Sequence, residues 1–317
     1  MLEAHEQRGD GEPLRIFEVG AGSGALAFDI LKYVREQHPE VYKGMSYNIV
    51  EISPRLAKQQ TEVLAQHVKT GKAKIINQSI FDYNQQESKP CFFIALEVLD
   101  NLTHDVVRYA TDTMQPYEAI VSIDETGDMH ELWEPVKDEK IRRYLQLLKE
   151  QNLSKLPATA PTYLSWIPQS IRSILTRHFP FYPNLTVPHY LPTGNLQLLD
   201  VLAKRFPKHR AIISDFNALP DALEGLNAPV VQTRLEGTMI PVTTYAVHQG
   251  FFDIFFPTNF KQLQYTHAHV MQRDLNSASV LDHSSFLKRY ANVEQTSCKD
   301  GSNPMLSWYA NASWFLS

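Results

Sequence analysis

Three alternating glycines, Gly20, Gly22 and Gly24, follow directly on the apolar segment 14–19 and open an amphipathic stretch over 25–37. Glycine accepts positive φ without steric cost, so this junction can turn sharply and let a ligand approach its backbone. The first N–H groups of the following helix favour a negatively charged group at the same place. A buried strand feeding a helix through such a turn is the opening of a βαβ unit, and that restricts the whole chain to a small set of α/β architectures.

The pattern continues in the same sense. Apolar runs at 47–50, 74–76, 92–96 and 119–123 alternate with helical periodicity. With 14–19 they predict five strands of one mostly parallel, doubly wound sheet. In the first helix Leu26, Ile30, Leu31 and Val34 share a face and Pro39 marks the end; Pro54 opens the second, with Leu56, Val63 and Leu64 expected on its buried side. Further on, 124–128 reads as a turn, 129–133 as a short strand, 138–151 and 195–203 as helices, and 211–214 as a strand. Between them, 156–192 interleaves prolines with aromatics, which excludes long regular elements yet argues for an ordered insertion packed on the core. The expected division is a cofactor-binding core over 1–155, the insertion over 156–192, and a C-terminal part over 193–317 that completes the sheet and adds substrate-side elements.

Composition narrows the function classes. Of 317 residues 43% are apolar and 21% charged, and no apolar run approaches the roughly 18 residues of a membrane span. A net charge of -5 gives no general attraction to nucleic acid. Cys91 and Cys298 are too far apart for a zinc cluster or a disulfide framework, which suits a reducing compartment. The first eight residues have the character of neither a signal nor a transit peptide. His267-Ala268-His269 lacks a partner cysteine or an H-E-x-x-H context, so no metal is expected, and Phe251, Phe252, Phe255 and Phe256 are expected in the core.

Two cofactor classes fit the glycines. Gly20, Gly22 and Ala25 satisfy G-x-G-x-x-A, the dinucleotide pattern, with the acid Glu51 ending the next strand. Against it, Glu18 stands two residues before the first glycine, where a carboxylate repels a pyrophosphate but suits a cationic sulfonium cofactor with a free amino group. Gly24 completes E-x-G-x-G-x-G, the form that binds S-adenosyl-L-methionine. At the carboxyl end of its strand, Glu51 can accept both ribose hydroxyls. Ser79, Ile80 and Asp82 follow the third strand where adenine is flanked; Asp82 can bond the adenine amine or cap a turn. After the fourth strand, Glu97 and Asp100 place two carboxylates where methyl transfer must occur, a pairing suited to a guanidinium or amine. Asp100 can instead cap a helix starting near Thr103.

The order Phe17-Glu18-Val19-Gly20-Ala21-Gly22-Ser23-Gly24, then Val50-Glu51-Ile52-Ser53-Pro54 with Leu56 and Gln59-Gln60, then Glu97-Val98-Leu99-Asp100-Asn101-Leu102, resembles the MidA family of S-adenosylmethionine-dependent methyltransferases. Similar stretches recur at 123–125, 133–135, 213–216 and 250–260. The family's Asn-Glu-Phe-Phe-Asp-Ala-Leu-Pro is here Leu96 to Thr103, and its helical region ahead of the first strand is not in this sequence. The resemblance implies a Rossmann-like class I methyltransferase sheet, S-adenosyl-L-methionine as cofactor, and arginine N-methylation of a protein. The family includes mitochondrial enzymes that assist respiratory complex I assembly, which implies a complex I subunit as substrate and a matrix location. Two other readings stand beside it: a non-catalytic assembly factor that keeps the fold, and an NAD-dependent oxidoreductase.

Overall fold

The computed structural model describes residues 1–9, 11–151, 168, 171, 174 and 184–317. The chain divides into two compact units. One comprises Met1–Leu99, Gln197–Asn217 and Leu263–Ser317, the other Asp100–Leu196 and Ala218–Gln262.

The first unit is built on a seven-stranded sheet. Strands β1 (Arg15–Val19), β2 (Ser46–Glu51), β3 (Ala73–Asn77), β4 (Cys91–Leu96) and β9 (His209–Phe216) run parallel. The order is β13-β14-β9-β4-β1-β2-β3, with β14 (Ala312–Leu316) antiparallel between β9 and β13 (Ser279–Asp282). Renumbered along this sheet the order is 3-2-1-4-5-7-6, and it reverses at β1, whose neighbours are β2 and β4. A crevice forms outside the carboxyl ends of the strands at such a switch point.

The sequence explains these elements locally. Residues Ile16 to Val19 are all buried, as a central parallel strand covered on both faces requires. A short helix α1 (Leu2–Glu6) precedes β1, and on one face of the sheet α2 (Ala25–Gln37) buries Ala27, Leu31 and Val34 against Leu14, Ile16, Tyr47 and Ile49. On the other, Phe17, Tyr83 and Phe93 surround Phe206 at ring-centroid distances of 5.0, 5.2 and 5.5 Å. Full burial of such an aromatic contributes roughly 2–3 kcal/mol over exposure. After the short α3 (Pro39–Gly44) and β2, helix α4 (Pro54–Val63) opens with Pro54 after Ser53, whose Oγ accepts from the Leu56 N–H at 3.4 Å.

The second unit carries antiparallel sheets. One has the order β7-β6-β5-β8, formed by β5 (Asp105–Tyr109), β6 (Pro116–Ile123), β7 (Met129–Pro135) and β8 (His189–Leu191). The other joins β10 (Val230–Leu235) to β11 (Thr238–Val242) and β12 (Asp253–Phe255). A helix over Glu139–Glu150 starts at Asp138, which caps the Lys140 and Ile141 N–H groups.

Several expectations change. The run 119–123 belongs to β6 in the second unit, and the fifth parallel strand is β9. The turn at Asp124, whose Oδ1 accepts from the Thr126 and Asp128 N–H groups, returns the chain into β7 as a hairpin. A hairpin partner lies a few residues away, whereas a parallel partner needs a crossover. Val63 is 40% exposed, because the buried line of this helix runs through Ala57, Gln60 and on to Leu64. No helix starts near Thr103; β5 begins at Asp105. The four phenylalanines are not core: Phe251 is 74% exposed, the other three are half-buried, and Phe256 stacks on His104 with 3.8 Å between centroids. Most of the 156–192 insertion lies outside the described residues. Among the described residues no helix is long and apolar enough to cross a membrane.

Candidate functional site

The glycine run sits at the carboxyl end of β1, as its pattern requires. Gly20, Gly22 and Gly24 have φ of 68°, 53° and 82°, a region costly for any residue with a Cβ. The reasons differ along the turn. A Cβ on Gly20 would come within 2.9 Å of Val98 Cγ2, and one on Gly24 within 3.3 Å of Gln60 Cγ. Among the described residues, a Cβ on Gly22 would meet nothing within 4 Å beyond its chain neighbours, so the loop there is open. Helix α2 starts at Gly24 with no side-chain cap and no acid in its first turn, leaving its first N–H groups available to an anion.

Glu18 lies below this turn, 3% exposed, with Tyr47 Oη donating to its Oε2 at 2.8 Å. Burial pushes the Glu18 carboxyl up from 4.5 to about 7, and the Tyr47 hydrogen bond pulls the other way. Between those values the folded chain holds a proton that the unfolded chain has released. This contribution to stability is therefore full below pH 4.5 and is lost as pH rises through about 7. Glu18→Gln, which still accepts from Tyr47, is expected to stabilise the fold by about 2 kcal/mol at pH 8 and by almost nothing at pH 4. Urea melts at both pH values check this, and equal shifts would show that folding does not raise the Glu18 carboxyl above its ordinary range.

Glu51 ends β2, a residue 4% exposed, with its carboxylate held on both oxygens. The Ser53 N–H donates to Oε1 at 2.8 Å and Gln60 Nε2 to Oε2 at 3.0 Å. Gln60 Nε2 also donates to the Gly22 carbonyl at 2.9 Å, and Asn77 Nδ2 donates to the Glu51 carbonyl at 2.7 Å. At the end of β3, Ser79 Oγ accepts from the Phe81 N–H at 3.2 Å and so caps the short turn Ile80–Asp82. Ile80 is buried and Asp82 exposed, and it is Ser79 rather than Asp82 that caps. Ile52 is 71% and Phe81 42% exposed, apolar surface that gains by being covered.

Glu97 follows β4 directly, with an exposed side chain and φ of 52°, an arrangement costing about 1–3 kcal/mol for a non-glycine residue. Strand β9 holds it there. The Glu97 N–H donates to the Ser214 carbonyl at 2.9 Å, and Asp215 Oδ2 accepts from the Leu99 N–H at 2.8 Å. Asp100 belongs to the second unit, 2% exposed, where its Oδ1 accepts from Asn101 Nδ2 at 2.6 Å and its carbonyl from the Phe256 N–H.

Glu18, the glycine turn, Glu51, Ser79 to Asp82 and Glu97 thus line the carboxyl ends of adjacent strands β4, β1, β2 and β3. Sequence reasoning did not assign roles to Tyr47, Gln60, Asn77 or Asp215. Gln60 left a signal, as a polar residue on the buried line of the amphipathic helix that follows Glu51, and Asp215 lies in the stretch 213–216 that resembles the family. Away from this edge, His267 packs on His209 with 3.3 Å between Nε2 atoms, and among the described residues no group of three potential ligands could hold a metal ion.

With this geometry in place, the comparisons with known proteins decide between the two cofactor classes. The model of a family described as "Putative S-adenosyl-L-methionine-dependent methyltransferase" matches residues 1–277. The chain belongs to the MidA family of S-adenosylmethionine-dependent methyltransferases. The cofactor of this family is S-adenosylmethionine, and the fold is the class I methyltransferase fold. Two crystal structures of superfamily members from Burkholderia thailandensis share that fold at 13% identity, with TM-scores of 0.59 and 0.57. Each match covers 99% of this chain, and 76% and 73% of the respective structures; the second holds S-adenosyl-homocysteine. A curated relative, "Protein arginine methyltransferase NDUFAF7 homolog, mitochondrial" of Schizosaccharomyces pombe, is 26% identical over 227 residues. That match takes in 69% of this chain and 46% of the relative, so the chain spans about half of the relative's length.

Proposed function

We propose that this chain transfers a methyl group from S-adenosylmethionine to an arginine side chain of a protein. The observation that carries the cofactor part is the joined pair of Gly22 and Glu51. An open, positive-φ glycine and a strand-end carboxylate are fixed side by side by one amide, at the switch point of the sheet. The residues fit the group. Glu51 has lone pairs left for two vicinal hydroxyls, the uncapped α2 terminus suits a carboxylate, and Ile52 and Phe81 offer apolar cover to a planar base. Glu18 answers an ammonium, which would draw its buried carboxyl into the ionised form. Ser79, Ile80 and Asp82 border the base, with Asp82 open to its amine.

Bound S-adenosylmethionine supplies a methyl group on a sulfonium, a leaving group that needs no acid. What the chain contributes is alignment and exclusion of water. Glu97, exposed and held in place by Ser214 and Asp215, accepts hydrogen bonds from the guanidinium and directs one nitrogen at the methyl group. Asp100, fully buried, acts through the shape of the turn rather than by reaching the acceptor. We further propose a mitochondrial location and a complex I subunit as acceptor; the arginine and the location rest on the fission yeast relative's name, and the complex I subunit on the family resemblance.

Titration calorimetry with S-adenosylhomocysteine and a methylation assay with labelled cofactor test this reading. The expected result is label on protein arginines, resistant to nuclease and read by mass spectrometry; label on RNA or on a small molecule would replace the acceptor. Glu51→Ala is expected to cost about 1–3 kcal/mol of S-adenosylhomocysteine affinity, and to lower the melting temperature as well, because the Ser53 and Gln60 donors lose their acceptor. Unchanged affinity in the folded variant would remove Glu51 from the ribose contact.

A further inference from the structure

Gln60 is fully buried on α4, far from any surface role, and its amide makes two hydrogen bonds from a single nitrogen. Both partners, the Gly22 carbonyl and the Glu51 carboxylate, are acceptors only. The Nε2 orientation is therefore dictated by the chemistry, and both of its hydrogens are used. Gln60 Oε1, buried as well, finds no hydrogen-bond partner among the described residues, a cost accepted to keep the nitrogen where it is. Packing reinforces the arrangement, since a Cβ on Gly24 would come within 3.3 Å of Gln60 Cγ and press on its stem.

We infer that Gln60 is a positioning residue that locks the glycine turn and the Glu51 carboxylate into one geometry before the cofactor arrives. The inference rests on the cofactor reading given above. The Gly22 carbonyl is drawn away from the open side of the turn, so the positive-φ conformation is held and the turn presents its N–H side to the ligand. The Glu51 carboxylate is gripped on Oε2 by Gln60 and on Oε1 by Ser53, which fixes its plane and leaves each oxygen a lone pair for the ribose. One side chain thereby couples the half of the site that takes the amino-acid end of the cofactor to the half that takes its sugar. Groups held this way need no ordering on binding, and affinity rises accordingly.

The test measures S-adenosylhomocysteine binding by calorimetry on the full chain, alongside thermal melts. Gln60→Met keeps the length and removes the donor. It is expected to weaken binding at least about tenfold, and by only about threefold or less when introduced into Glu51→Ala, because part of its effect passes through that carboxylate. Gln60→Glu serves as a second variant if Gln60→Met folds poorly. At pH 8 it sets a carboxylate against Glu51 and the Gly22 carbonyl, so binding should be weaker still. As pH is lowered to 6 it should recover relative to wild type at the same pH, since a protonated acid can donate one of the two bonds. Wild-type affinity in both variants, or a loss from Gln60→Met that is equal in the two backgrounds, would overturn the positioning role. Failure of the wild-type chain to bind S-adenosylhomocysteine would instead overturn the cofactor reading and the inference with it.

Discussion

Glu97→Gln is expected to slow methyl transfer by roughly 2–4 kcal/mol in transition-state stabilisation, about 30- to 1,000-fold, while S-adenosylhomocysteine binds within about twofold of wild type. Glutamine keeps the size and one carbonyl oxygen but loses the charge that orients a guanidinium. The backbone adds an independent handle. Because Glu97 sits at φ of 52°, Glu97→Gly should relieve strain and hold or raise the melting temperature while also abolishing transfer. Stability and activity moving in opposite directions at one residue is the mark of a functional site, and a structural residue would not show it. Glu97→Gln set against wild type also separates the enzyme from a non-catalytic assembly factor. If wild type and Glu97→Gln rescue a deletion strain equally, and arginine methylation is the same in both, the orienting role of Glu97 is lost. Leu96, which stands where the family has Asn, is then the next residue to change.

Gly22→Val is expected to abolish binding, with no heat detected at S-adenosylhomocysteine concentrations a hundredfold above the wild-type dissociation constant, a loss of more than about 2.7 kcal/mol. Two causes add. A β-branched residue is strained at φ of 53°, and its side chain would enter space where a Cβ meets none of the described residues within 4 Å beyond its chain neighbours, on the side where the ligand must approach. Gly71 supplies the control, at φ of 71° with equally open surroundings but on the turn before β3, away from the carboxyl edge. Gly71→Val should lose comparable stability and keep its affinity. If both variants bind alike, strain alone explains Gly22 and the turn does not face the cofactor.

The parts of this protein that sequence alone determined are local ones. Strand β1, the glycine turn and α2 follow from hydrophobic spacing and from the conformational freedom of Gly20, Gly22 and Gly24, all properties of neighbouring residues. So do the Asp138-capped helix and the placement of Glu51 and Glu97 at strand ends. Tertiary structure decided what depends on partners remote in the chain. Whether 119–123 joins the parallel sheet or folds back as a hairpin turned on competing pairings, and β9, arriving from residue 209, took the fifth position. Asp215 grips the turn after β4 from 116 residues away, Tyr47 reaches Glu18 across 29, and Gln60 reaches Gly22 across 38. Such contacts leave no periodicity in the chain, because hydrophobic spacing records which side of an element is buried and not which distant polar atom waits there.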